Sequence, residues 1–162
     1  MNTTRQVRPA LAVTILSVAI LGGCSTFDRD WEAMVQSDAG ETGLEGLWDG
    51  TWLSDASGHT GGLRCILSKD EEGTLQTRYH ATWGCCFTFE YTVPVAATHD
   101  GDTSRFHGEA DLGWFAGGLY KYDGHVTGDR FSSTYSCKRD HGTFQMTRVV
   151  GAEEPAGNAD DQ

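Results

Sequence analysis

The chain has 162 residues, with 12 Lys and Arg against 23 Asp and Glu and a formal net charge of −11. That acidic balance excludes a nucleic-acid partner and a basic membrane-surface patch, since both need positive charge near phosphates. With 21 glycines, 3 prolines and no long stretch of helical periodicity, the composition is that of an all-β domain with frequent turns.

The chain begins with Arg5 and Arg8, then an apolar run from Ala10 to Leu21, then small residues. A basic start, an apolar run and a small-residue cut site form a secretory signal. The run is shorter than the ~20 apolar residues of a membrane span. Its end, Leu21-Gly22-Gly23-Cys24, resembles a bacterial lipoprotein signal, in which the cysteine receives lipid and becomes the mature N-terminus. The resemblance implies a signal peptide over 1–23, acyl chains on Cys24 anchoring the protein to a lipid bilayer, and a place in the bacterial cell envelope. Ser25 rather than Asp follows the cysteine. In a Gram-negative host that implies sorting to the outer membrane. Several acyl chains bury far more apolar surface than the single chain that anchors only marginally.

Residues 24–45 read as the lipidated cysteine and a flexible tether. Within it Trp31–Val35 suggests a short helix, ended by Ser37-Asp38-Ala39-Gly40. Residues 151–162, with Glu153, Glu154, Asp160 and Asp161, read as a disordered acidic tail. Between them, 46–150 forms one domain. Eight strands are predicted over 46–54, 62–68, 74–83, 85–95, 103–112, 119–127, 130–136 and 143–150. Clusters such as Asp55-Ala56-Ser57-Gly58, Asp70-Glu71-Glu72-Gly73 and Gly128-Asp129 supply the turns. Alternation sets the faces: Leu63, Cys65 and Leu67 share one side, as do Phe87, Phe89, Tyr91, Val93 and Val95, then Phe106, Ala110 and Leu112, then Phe131 and Tyr135. Pro94 cannot donate to a ladder, so an edge or bulge is expected there.

Eight short strands joined by tight loops favour an antiparallel up-and-down β-barrel, because closure removes exposed edges. A two-sheet sandwich is the alternative. Gly46-Leu47-Trp48 opens the first strand and Gly142-Thr143-Phe144-Gln145-Met146-Thr147-Arg148 forms the last. These resemble the Gly-x-Trp opening and the closing strand of the lipocalin and avidin barrels. The resemblance implies a tryptophan closing one end, with a basic side chain packed on it as a cation–π contact.

In this order the tether enters at one rim, and the loops near 55–61, 84, 113–118 and 137–142 gather at the other. That distal rim is aromatic and basic, while the membrane-proximal loops are rich in Asp, Glu and Gly. An eight-stranded barrel is either filled by side chains or holds one small ligand. Inward-facing Tyr79, Tyr91 and Tyr135, with Trp114 and Phe115 at the distal rim, are the expected ligand-binding residues. Alternatively, Trp114 and Phe115 form a plug.

The remaining cysteines are Cys65, Cys85, Cys86 and Cys137. An exported chain is expected to pair them. One of Cys85 and Cys86 is expected to join Cys137 and the other Cys65. The adjacent pair ranks last, because bridging neighbours is strained. A metal site of these cysteines with His59 or His141 is the rival reading, but the spacing is neither CxxC nor HxxxH. No Gly-x-Ser-x-Gly elbow, His-Glu-x-x-His or phosphate loop occurs, so no enzyme, cofactor or metal is expected. The expected function is non-catalytic binding of a small, partly apolar ligand. An interaction module is the alternative, such as an envelope inhibitor of a basic hydrolase. It would take a basic protein as partner and suit the acidic charge. A purely structural envelope lipoprotein is the third.

Overall fold

A computed structural model describes residues 26–37 and 43–150. The signal segment, Cys24 and the acidic tail lie outside the described residues. The strands are β1 (Gly46–Ser54), β2 (Thr60–Lys69), β3 (Leu75–Trp83), β4 (Phe87–Asp100), β5 (Thr103–Asp111), β6 (Leu119–Thr127), β7 (Arg130–Ser136) and β8 (His141–Arg148). Each pairs antiparallel with its sequence neighbours, and β1–β8 pairing closes the barrel in the order β1 to β8. The architecture is the expected eight-stranded up-and-down barrel and not a sandwich. β4 runs to Asp100, past the expected end at 95, because the hairpin into β5 keeps its ladder as far as Asp100 opposite Thr103.

The period-2 faces fill the interior. Leu63, Cys65, Leu67, Tyr79, Val93, Phe106, Tyr122, Phe131 and Tyr135 are all buried. The rim through which the chain enters β1 is closed. Trp48 is 0% exposed and its ring lies 5.6 Å from Phe131, which is 5.0 Å from Phe106. The Trp48 indole N–H donates to the Leu44 carbonyl at 3.1 Å. Arg148, opposite Trp48 in the β1–β8 register, holds its guanidinium 4.2 Å from the Trp48 ring centre. It also donates to the carbonyls of Glu45 and Gly43. A cation on an indole face is an attractive pairing, and here it ties the last strand to the first.

The segment before the barrel differs from a plain tether. Thr26–Gln36 forms a helix, α1, longer than the expected Trp31–Val35. Phe27, Trp31, Met34 and Val35 recur at helical spacing, so one face is apolar. That face packs on Leu47 and Ile66, two outward-facing apolar residues of β1 and β2. Arg64 and Arg78 on the same wall pair with Asp28 and Asp30, both at 2.7 Å, and Arg64 lies 5.3 Å from the Phe27 ring centre. Hydrogen bonds from Arg78 and then Arg29 hold Asp30 below the usual carboxylate range.

Phe27 is 1% exposed, so its truncation leaves a void between helix and wall. Phe27→Ala is expected to destabilise the domain by about 3 kcal/mol, the lower end for a buried Phe→Ala change. Urea denaturation of the two proteins measures this. A loss below about 1 kcal/mol would mean that α1 is not docked.

Candidate functional site

The distal end of the barrel is open, and the reason lies in β4 and β5. Their ladder runs from Asp100–Thr103 to Val95–Gly108 and stops. Above it, Phe87 to Pro94 pairs with β3 alone, while β5 continues to Asp111 on β6 alone. The stop falls at Pro94, which has no N–H to offer a second ladder. Gly108, opposite Val95, comes close to it as well: a Cβ there would stand 2.6 Å from the Pro94 carbonyl oxygen. The two strands therefore part toward the distal rim. Phe87 and Phe89, on the inward face by alternation, are left 60% and 54% exposed.

A cavity of about 640 Å³ opens through this end. Its walls are Trp52 of β1, Ala81 of β3, Tyr91 of β4, Tyr122 of β6, Tyr135 of β7 and Phe144 of β8. Trp83, Phe89, Leu112, Tyr120 and His59 line its lip. The rings form a connected set: Tyr135 to Phe144 is 5.0 Å, Tyr120 to Tyr135 is 6.1 Å and Tyr91 to Tyr122 is 6.3 Å between centres. Gly61 on β2 makes room for the Trp52 wall. A Cβ there would sit 1.8 Å from the Thr82 carbonyl oxygen and 2.7 Å from Trp52 Nε1. With no side chain in the way, the indole crosses β2 and donates to that carbonyl at 2.9 Å.

The polar groups are few and fixed. Asp140 accepts hydrogen bonds from Ser54 Oγ at 2.6 Å, the His141 backbone N–H at 2.8 Å and Tyr135 OH at 3.1 Å. Tyr120 OH donates to the Ala116 carbonyl at 2.7 Å. All five tyrosines of the chain lie in this region, and burial pushes every phenol above its ordinary range. For Tyr135 the negative charge of Asp140 adds to the effect. The hydroxyls therefore stay neutral across ordinary pH.

The expected ligand residues divide. Tyr91 and Tyr135 line the cavity. Tyr79 does not: it lies beneath the floor, 1% exposed, with ring centres 5.3 Å from both Tyr91 and Phe144. Its hydroxyl has no hydrogen-bond partner among the described residues. Trp114 and Phe115 are neither wall nor plug. They sit in a 3-10 turn, Trp114–Ala116, with ring centres 3.8 Å apart and tilted by 33°, and are 68% and 82% exposed. Only Ala116 of that turn reaches the cavity. Sequence reasoning missed Trp52, Tyr120, Tyr122 and Phe144. The signal was present, since all four lie on the inward side of their strands by alternation.

Among the described residues Cys65, Cys85, Cys86 and Cys137 are free thiols. Cys65 lies opposite Trp48 and Tyr79 in the register, in the layer below the cavity, and burial pushes its thiol well up. Cys85 and Cys86 sit six and seven residues beyond Tyr79, at the tip of the β3–β4 hairpin. At ~3.3 Å per strand residue that is well over the ~7 Å that a disulfide allows between Cα atoms. The expected bridge from Cys65 to the rim is therefore not formed. Cys86 hydrogen-bonds instead to Cys85, which raises its pKa. Cys137 Sγ accepts from the backbone N–H groups of Arg139 and Asp140 at 3.4 and 3.3 Å. Among the described residues no group of three or more His, Cys, Asp or Glu gathers in a way that could hold a metal ion.

No family model matches the chain, and no curated protein or solved structure is significantly similar to it.

The tyrosines predict an alkaline transition. An unfolded chain gives up phenolic protons near pH 10, earlier than the folded barrel does. The stability tied to the neutral phenols is thus fully present below about pH 10 and is lost as pH rises beyond it. Tyrosinate absorbance at 295 nm is expected to appear together with loss of circular dichroism, not before it. A gradual titration of several tyrosines near pH 10 in the folded state would contradict the buried arrangement.

Proposed function

We propose that this protein is a lipid-anchored, non-catalytic envelope protein whose barrel holds a small, partly apolar molecule in its open end. The observation that carries this reading is the cavity itself. It has ordinary ligand-site volume, aromatic walls and a few fixed polar groups, which is the usual make-up of a small-molecule site. The packing of the opposite end supports it, because Trp48 and Arg148 separate the cavity from that rim. The order of the chain supports a direction: a signal-type segment and Cys24 precede the closed end, so the anchor holds that end toward the bilayer and presents the mouth away from it. The exposed Trp114–Phe115 pair is the observation that favours the second reading, a rim that docks on a protein such as a basic hydrolase.

Ala81 lines the cavity, and an aromatic side chain there fills it while suiting a strand position. The barrel domain is expected to bind Nile red, a neutral apolar dye, with micromolar affinity, and Ala81→Phe to weaken that binding at least tenfold without lowering the denaturation midpoint. Unchanged binding would place the dye elsewhere. A rim that docks on a protein would be indifferent to Ala81→Phe. For the anchor, Cys24→Ser is expected to abolish incorporation of labelled palmitate and release the protein from the membrane fraction. Retention of the label would overturn the lipidation reading.

A further inference from the structure

The polarity of the cavity narrows the class of ligand. No Lys or Arg lines it. Two carboxylates do, Glu90 and Asp140, and they are not equivalent. Glu90 stands at the lip with Oε1 3.6 Å from His80 Nδ1, and His80 packs outside the barrel against Phe27. Asp140 is half-buried on the cavity wall and is held by three neutral donors, Ser54, His141 N–H and Tyr135. Among the described residues no Lys, Arg or His forms an ion pair with it. Lys138 and Arg139 are on the same hairpin but exposed to solvent, where water screens their charge.

Aromatic rings carry partial negative charge on their faces, so a ring of them favours a cation and disfavours an anion. Trp52, Tyr91, Tyr120, Tyr122, Tyr135 and Phe144 surround the guest position, and Asp140 supplies a full negative charge at its edge. From these residues we infer that the ligand is a small organic cation, an amine or quaternary ammonium carrying apolar substituents. This rests on the binding reading given above. The cation sits among the rings with its charge toward Asp140, and its apolar substituents fill the 640 Å³ space. The charge of the whole chain, −11, adds long-range attraction for the same sign. An anionic ligand would meet Asp140 with no Lys or Arg in the cavity lining to offset it.

The test uses shape-matched probes on the full chain, followed through quenching of tryptophan fluorescence, to which Trp52 and Trp83 at the cavity contribute. Benzyltrimethylammonium is compared with its uncharged carbon isostere, neopentylbenzene, and with the anion benzylsulfonate. The cation is expected to bind at least tenfold more tightly than the isostere, and the anion not at all. Asp140→Asn keeps one acceptor oxygen for Ser54 Oγ and the His141 N–H and turns an NH2 group toward the Tyr135 hydroxyl, which can accept from it. The substitution is expected to weaken the cation about tenfold and leave the isostere unchanged. If the isostere binds as tightly as the cation, the cation inference is overturned and the binding reading stands. If no probe binds, and Nile red does not bind either, both fail. Should Asp140→Asn not fold, the three-probe ranking on the unaltered chain decides the matter alone.

Discussion

The contact between Arg148 and Trp48 is the constraint on which the rest of this barrel depends. An up-and-down barrel needs its last strand to find its first, across nearly the whole domain sequence, and loop closure over such a distance opposes folding. Here the guanidinium covers a fully buried indole and also binds the carbonyls of the incoming chain. One side chain thus fixes the β1–β8 register, seals the proximal rim and holds the segment that leads into β1. With Trp48 packed at that end, the aromatic cavity opens at the other.

Where that volume lies is set by side-chain size and by one proline. Below the cavity the inward positions carry Trp48, Phe106, Phe131 and Tyr79, which fill the barrel. Above it β4 and β5 lose their pairing at Pro94, and the wall parts. An exposed strand edge is ordinarily a hazard for aggregation. In this barrel the freed edge of β4 carries Phe89 and Tyr91 into the cavity lining, so the break in the sheet and the mouth of the cavity are the same feature. Among the polar groups of the cavity the Asp140 carboxylate is held by neutral donors. That arrangement fixes a negative charge without cancelling it.

Helix α1 shows how the outer wall takes part. Leu47 and Ile66 violate the inside–outside alternation of their strands, and each is explained by the apolar stripe of Phe27, Trp31, Met34 and Val35. The ion pairs of Asp28 and Asp30 with Arg64 and Arg78 set the helix direction along the wall. The first described segment is therefore part of the packed domain.

The amino-acid sequence by itself determined the strands, their faces and their order. These follow from period-2 alternation and from local turn chemistry, and both are written in neighbouring residues. Phe131 with Tyr135, or Leu63 with Cys65 and Leu67, could be assigned inward from their spacing alone, and the unusual position of Pro94 was visible too. Only the tertiary structure decided depth along the barrel axis. Alternation says that Tyr79 and Tyr91 both point inward, but not that one lies under the floor and the other forms the wall. It could not show that Trp114 and Phe115 turn away from the mouth, that Trp52 crosses over Gly61, or that Cys65 lies a layer below the rim cysteines. Those facts depend on the stagger of all eight strands around a closed sheet, a quantity that no single segment of sequence contains.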